Sequence, residues 1–166
     1  MFRFPRRTLL MLFLVILPIG PAAAGSAIVP FEPETVTAPD RLDAARVDRA
    51  VVEGFVIRGW RITEVDTKAG TIDAELPVRA HLGRVRARID DGEITFAYRD
   101  SENIDHGWLV KERGGSKGND GDRTFQTTRE SSDDVEAVHR NYLAWVNELA
   151  RTIDGTLMLA EMETDG

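Results

Sequence analysis

The sequence predicts an α+β domain: a four-stranded antiparallel meander with an N-terminal and a C-terminal helix packed on one face (α-β-β-β-β-α). Two observations carry this. Apolar residues recur with the helical period before Gly59 and again after Ser131, and between Trp60 and Tyr98 the period is two. The segments between the alternating runs are short and rich in Gly and Asp, as hairpin turns require.

The first helix is expected from Pro39. Thr37 offers an N-cap hydroxyl, Pro39 stands where a missing N–H costs nothing, and Asp40 occupies the capping-box position. Val47, Ala50, Val51, Gly54 and Phe55 then form one apolar stripe, with Leu42 one step earlier on the same side. Gly59 ends the segment.

Four half-buried strands follow. Trp60 and Ile62 lead the first; Ile72, Ala74, Leu76 and Val78 the second; Val85, Ala87 and Ile89 the third; Ile94, Phe96 and Tyr98 the fourth. Asp91-Gly92 is a strong two-residue hairpin signal, and it sets Ile89 against Ile94, Ala87 against Phe96 and Val85 against Tyr98. Carrying one face through the preceding hairpin puts Ala80 and His81 at its tip, with Asp73 opposite Arg88 and Glu75 opposite Arg86. Arg84, Arg86 and Arg88 then form a basic row on the outer face. Such a row suits an acidic partner or a phosphate, or is neutralised by Asp73 and Glu75.

From about 105 to 132 the pattern dissolves into a Gly- and charge-rich insertion, read as flexible, in which Trp108 to Val110 and Thr124 to Gln126 are able to pair as a hairpin. Ser131 and Asp134 give a second capping box. Val135, Val138, Tyr142, Trp145, Val146, Leu149 and Ile153 follow at helical spacing, and Leu157 continues the stripe past Gly155. The domain is thus expected over 39–160, with a frayed tail at 161–166.

The first 24 residues comprise a cationic start (Arg3, Arg6, Arg7), an apolar run from Leu9 to Leu17 and the small residues Ala22 to Ala24. This is the layout of a signal peptide cleaved after Ala24, and 25–38 reads as an extended linker. Arg6-Arg7 leaves the twin-arginine route open beside the general secretory one, and an uncleaved anchor is a further alternative. Loss of the three arginines takes the formal net charge from −7 to −10. So acidic a product excludes nucleic acid and anionic lipid as natural partners. Without cysteine there is neither a disulfide framework nor a lipidated N-terminus, so the expected location is periplasmic, without stable membrane insertion.

Gly59-Trp60, Arg79-x-His81, Tyr98-x-Asp100-Ser101-x-Asn103 and His139-x-x-Tyr142-x-x-Trp145 with Leu149 together resemble a group of small exported bacterial proteins, often labelled lipoproteins, that carry no assigned activity. The resemblance covers roughly 47–157 and implies an envelope location and an α+β fold. The chain departs from that group in lacking the lipobox cysteine and in its longer connection after Asn103.

The residues most able to carry chemistry are Arg79, His81, Tyr98, Asp100, Ser101, Asn103, His139 and Tyr142, which the register brings toward one end of the sheet. In one reading Ser101 is a nucleophile, His139 its base and Asp100 the orienting acid. In the other, Asp100, Ser101 and Asn103 end the strand on local backbone, and His139 and Tyr142 are boundary residues. No G-x-S-x-G elbow surrounds Ser101.

His81, His106 and His139 match no zinc spacing, and Asn119, Asp120 and Asp122 around Gly121 offer oxygen ligands for calcium or simply a solvated loop. No metal or cofactor is assigned. Trp60 and Trp145 lie on core stripes, whereas Trp108 stands in a polar connection, as a contact residue or folded back onto the domain. The expected function is a non-enzymatic binding or accessory module meeting an envelope protein or a small molecule. The alternatives are a small periplasmic hydrolase and a carrier of a small apolar ligand, the latter requiring a hollow core.

Overall fold

The computed structural model describes residues 27–111 and 123–164, and shows a mixed α+β fold with two helices and two antiparallel sheets. The elements in order are β1 (Ile28–Pro30), β2 (Val36–Thr37), α1 (Ala44–Ile57), β3 (Arg61–Asp66), β4 (Thr71–Val78), β5 (His81–Asp90), β6 (Glu93–Glu102), β7 (His106–Lys111), β8 (Arg123–Gln126), β9 (Val135–His139) and α2 (Arg140–Met162). Among the described residues no helix is long and apolar enough to cross a membrane. The signal segment 1–24 and the oxygen-rich residues Asn119, Asp120 and Asp122 lie outside the described residues.

The expected meander is present as β3 to β6, and β2 extends it in the order β2-β6-β5-β4-β3. The hairpin at Asp91-Gly92 has the expected register, and both tip residues take positive φ (49° and 78°) as the tight turn demands. The preceding hairpin differs by two positions. Val78 pairs with His81, so Arg79 and Ala80 form the tip, and Asp73 faces Arg86 while Glu75 faces Arg84. A slip of two keeps every side chain on its face, so alternation alone does not separate the two registers. The observed one lets Arg86 grip Asp73 through two bonds of 2.6 Å.

A single sheet under two helices is too simple a description. The second sheet, ordered β1-β9-β7-β8, draws on the expected linker, the insertion and the start of the expected last helix. The linker supplies β1 to this sheet and β2 to the first. The insertion supplies β7 and β8, which pair as the hairpin the sequence allowed, Trp108↔Gln126, Leu109↔Phe125 and Val110↔Thr124. The presumed first turn of the last helix is the central strand β9, held by β1 on one side and β7 on the other. Val135 and Val138 are β-branched, and their spacing suits a short strand as well as a helix; pairing on both edges decides for the strand. Asp134 therefore accepts N–H bonds from Glu130 and Ser131 rather than serving in a capping box.

The helix boundaries move accordingly. Thr37 lies in β2, and Asp43 caps α1 by accepting from the Arg46 N–H. The exit of α1 follows the expected Gly59: at φ 76° it allows Gly59 N–H to reach Val56 O and Trp60 N–H to reach Phe55 O, with the Trp60 and Phe55 rings meeting edge-on. His139 caps α2, which runs through Gly155 to Met162. The helices cross closely at Gly54, where a Cβ would come within 2.5 Å of Ile153. Phe55, Val51, Val85, Ile94, Val138, Tyr142, Leu149 and Ile153 form the centre of the core, all essentially without exposure.

Candidate functional site

The site is built around a bulge. Val85 pairs with Tyr98 but Arg84 pairs with Asp100, leaving Arg99 as the extra residue. An extra residue inverts the alternation beyond it. Asp100 is therefore turned to the outer face, where it meets Arg84 at 2.7 Å, and Ser101 is turned to the inner face beside Tyr98. Arg84 also holds Glu102 at 2.9 Å and Glu75 at 3.4 Å, and the hydrogen bond to Glu102, with Asp100 adding to it and burial opposing, raises its pKa above the ordinary range.

Inside the bulge the aromatic rings pack on missing side chains. Gly83 faces Tyr142, whose ring a Cβ there would approach to 2.9 Å. The fully buried Tyr142 donates its hydroxyl proton to the Arg84 carbonyl at 2.7 Å. Burial pushes its pKa up, and burial also raises that of Tyr98, with the Ser101 hydrogen bond opposing in part. Both phenols are thus neutral at ordinary pH. Tyr98 stacks face to face on His106 with centroids 3.7 Å apart, and His106 Nε2 meets Glu136 at 2.9 Å.

The corner 103–105, which carries the chain from β6 in the first sheet to β7 in the second, is clamped residue by residue. The Asn103 carbonyl accepts from His81 Nδ1 at 2.5 Å, the Ile104 carbonyl from the Ser101 hydroxyl at 3.2 Å, and the Asp105 carbonyl from the His139 N–H at 2.9 Å. Asn103 takes a left-handed φ of 57°, which its residue type tolerates, and its side-chain amide donates to the Ala80 carbonyl at 2.6 Å. The corner is thereby tied to the Arg79-Ala80 turn and to the start of α2.

Beside this corner lies an open cavity of about 290 Å3, lined by His81, Asn103, Asp105, His139, Asn141 and Trp145 together with Ile104. Of the sequence candidates, His81, Asn103 and His139 come together here. Arg79 is exposed on the adjoining turn and is not part of the lining. Tyr98, Ser101 and Tyr142 form the support behind it, and Asp100 is on the opposite face of the sheet. Neither a Ser101–His139 nor a His139–Asp100 hydrogen bond is present among the described residues: the Ser101 hydroxyl engages Tyr98 and Ile104, and His139 Nδ1 accepts from the Asn141 N–H at 3.2 Å.

Trp108 is half-buried in β7, with the Arg129 guanidinium 4.8 Å above its ring. Trp60 is in the core, at 3% exposure, but Trp145 is not fully buried and lines the cavity. Sequence reasoning did not single out Asn141 or Trp145 for this role. The available signal was their spacing: four apart, they share one helix face on the flank of the Tyr142, Val146 and Leu149 stripe.

Among the described residues no group of three or more His, Asp or Glu is arranged to hold a metal ion. No family model, no curated protein and no solved structure matches the chain.

Proposed function

We propose that this chain is exported to the periplasm and acts there as a non-enzymatic binding or accessory module, meeting a small molecule or an exposed group of an envelope partner at the cavity beside the 103–105 corner. One observation carries the reading. Three of the polar candidates, His81, Asn103 and His139, converge with Trp145 on open space, and the backbone around them is clamped in advance of any ligand. Preorganised polar groups around an aromatic surface are what a small-molecule site requires.

A hydrolase would need the Ser101 hydroxyl aimed at substrate with a base beside it. That hydroxyl instead supports the corner, and Asp100 is engaged by Arg84 across the sheet.

The test is affinity capture by the processed protein from a periplasmic extract, read for proteins and for small molecules, with Trp145→Ala as the control. The expected result is a molecule retained by the wild type and lost from the variant. Retention of nothing above background, or equal retention by both, overturns the reading.

A further inference from the structure

Granted that the cavity is a binding site, we infer that its ligand is a neutral polyhydroxylated ring, a saccharide unit. The argument starts from the two imidazoles, which the backbone holds in opposite senses. A carbonyl oxygen only accepts, so the contact of His81 Nδ1 with the Asn103 carbonyl puts the proton of the neutral ring on Nδ1 and leaves Nε2 a lone-pair acceptor. A backbone N–H only donates, so the contact of Asn141 N–H with His139 Nδ1 makes that nitrogen the acceptor and leaves Nε2–H a donor. The lining therefore includes one imidazole whose remaining nitrogen accepts and one whose remaining nitrogen donates.

That complement discriminates between ligand classes. An anion needs donors throughout, and the lining includes the acceptor His81 and the acidic Asp105. A cation needs acceptors throughout, and the lining includes the donor His139 and Trp145, whose indole nitrogen only donates. A hydroxyl both donates and accepts, and so does each side-chain amide of Asn103 and Asn141, which share the lining. A ring bearing several hydroxyls uses the whole set.

Trp145 supplies the other half of the recognition. A pyranose has apolar C–H faces as well as a polar rim, and a partly exposed indole beside planar amide and imidazole groups matches both surfaces. The volume, about 290 Å3, falls just short of the range for small-molecule sites, roughly 300–1,000 Å3, and suits one ring rather than an extended chain.

The experiment is ligand-observed saturation-transfer NMR and calorimetry on the processed protein. The probes are the methyl glycosides of glucose, galactose, mannose and N-acetylglucosamine, with inorganic phosphate and putrescine as anionic and cationic probes. At least one glycoside is expected to bind saturably, about tenfold more weakly to Trp145→Ala and to His81→Ala, the loss of one good contact. His81 is exposed at the start of β5, so its variant tests the site even if the tryptophan variant does not fold.

Binding of phosphate or putrescine in preference to every glycoside, glycoside binding insensitive to the substitutions, or no glycoside binding at all overturns the inference. Should the capture experiment yield a non-saccharide ligand that Trp145→Ala loses, the binding reading stands and the saccharide falls alone. Should both experiments be empty, both fall.

Discussion

The two sheets are built on different terms. In the meander from β3 to β6 each strand pairs with the next across a tight turn, and the apolar face and the charged face each fall into register with their neighbours. The four-stranded sheet pairs successive strands once, β7 with β8. Its centre, β9, is paired with β1 from near the start of the described chain and with β7 from the middle. Local pairing is cheap in chain entropy, whereas the pairing of distant segments must be supported by tertiary contacts. The corner 103–105 and the aromatic cluster around Tyr142 are those contacts. The candidate site thus lies where a locally specified sheet is joined to one assembled at long range.

The strongest way to break this contrast is Tyr142→Ala. The ring is buried against Gly83, meets Phe31 at 5.7 Å and Tyr98 at 5.4 Å between centroids, and its hydroxyl holds the Arg84 carbonyl. Loss of a large buried aromatic costs about 3–5 kcal/mol, to be read from urea unfolding. In native-state hydrogen exchange, β9 and β7 are expected to lose protection first while β4 and β5 keep theirs. A uniform loss across both sheets would mean that they form one cooperative unit and that the contrast has no energetic content.

The same contrast governs what the sequence makes legible. Where an element's partner is its chain neighbour, period and turn chemistry give the pairing, although they leave β4 and β5 two positions out of register. The Asp91-Gly92 register emerged complete, and so did Gly59 as the end of α1. Where the partner is distant they do not. Ile28–Pro30 carries no signal beyond being extended, and Val135–His139 has apolar spacing compatible with either a strand or a helical turn until β1 and β7 are known to flank it.

The site was partly visible for the same reason. His81, Asn103 and His139 were chosen for chemistry and do converge, but whether Asp100 or Ser101 faces inward depends on a bulge at Arg99, which no residue type announces. Asn141 and Trp145 join the site only once α2 is known to start at Arg140.

Within the local sheet, Asp73→Asn probes the charged face at a smaller cost. The hydrogen bonds from Arg86 hold the Asp73 carboxyl below its ordinary range, with the charges of Arg86 and Arg99 adding to them and outweighing the opposing effect of burial. A folded pKa below the unfolded one, near 3.9, means that the stabilisation is complete above about pH 4 and is lost as pH falls through the lowered folded value. The variant is expected to lose about 1.5–3 kcal/mol at pH 7, the range for a hydrogen bond to a charged group. The difference from wild type should shrink below pH 4 in urea titrations. A difference independent of pH would assign the effect to packing instead.

The smallest effect is expected at the joint between the sheets, in Glu136→Gln. His106 and Glu136 stand on the paired strands β7 and β9, 2.9 Å apart, with side-chain exposures of 26% and 33%. Partial solvation limits such a contact to about 0.5–1 kcal/mol, and Gln retains a carbonyl oxygen to accept from the imidazole. The loss should therefore be below 1 kcal/mol in urea, with faster exchange at Gly107 to Leu109 and no change in β4 or β5. The stack of His106 on Tyr98, which the substitution leaves in place, is expected to carry the larger share of the holding energy at this joint. A loss well above 1 kcal/mol would reverse that ranking and show that the polar contact, by holding the His106 ring in place between β7 and β9, matters more to this joint than the aromatic packing it serves.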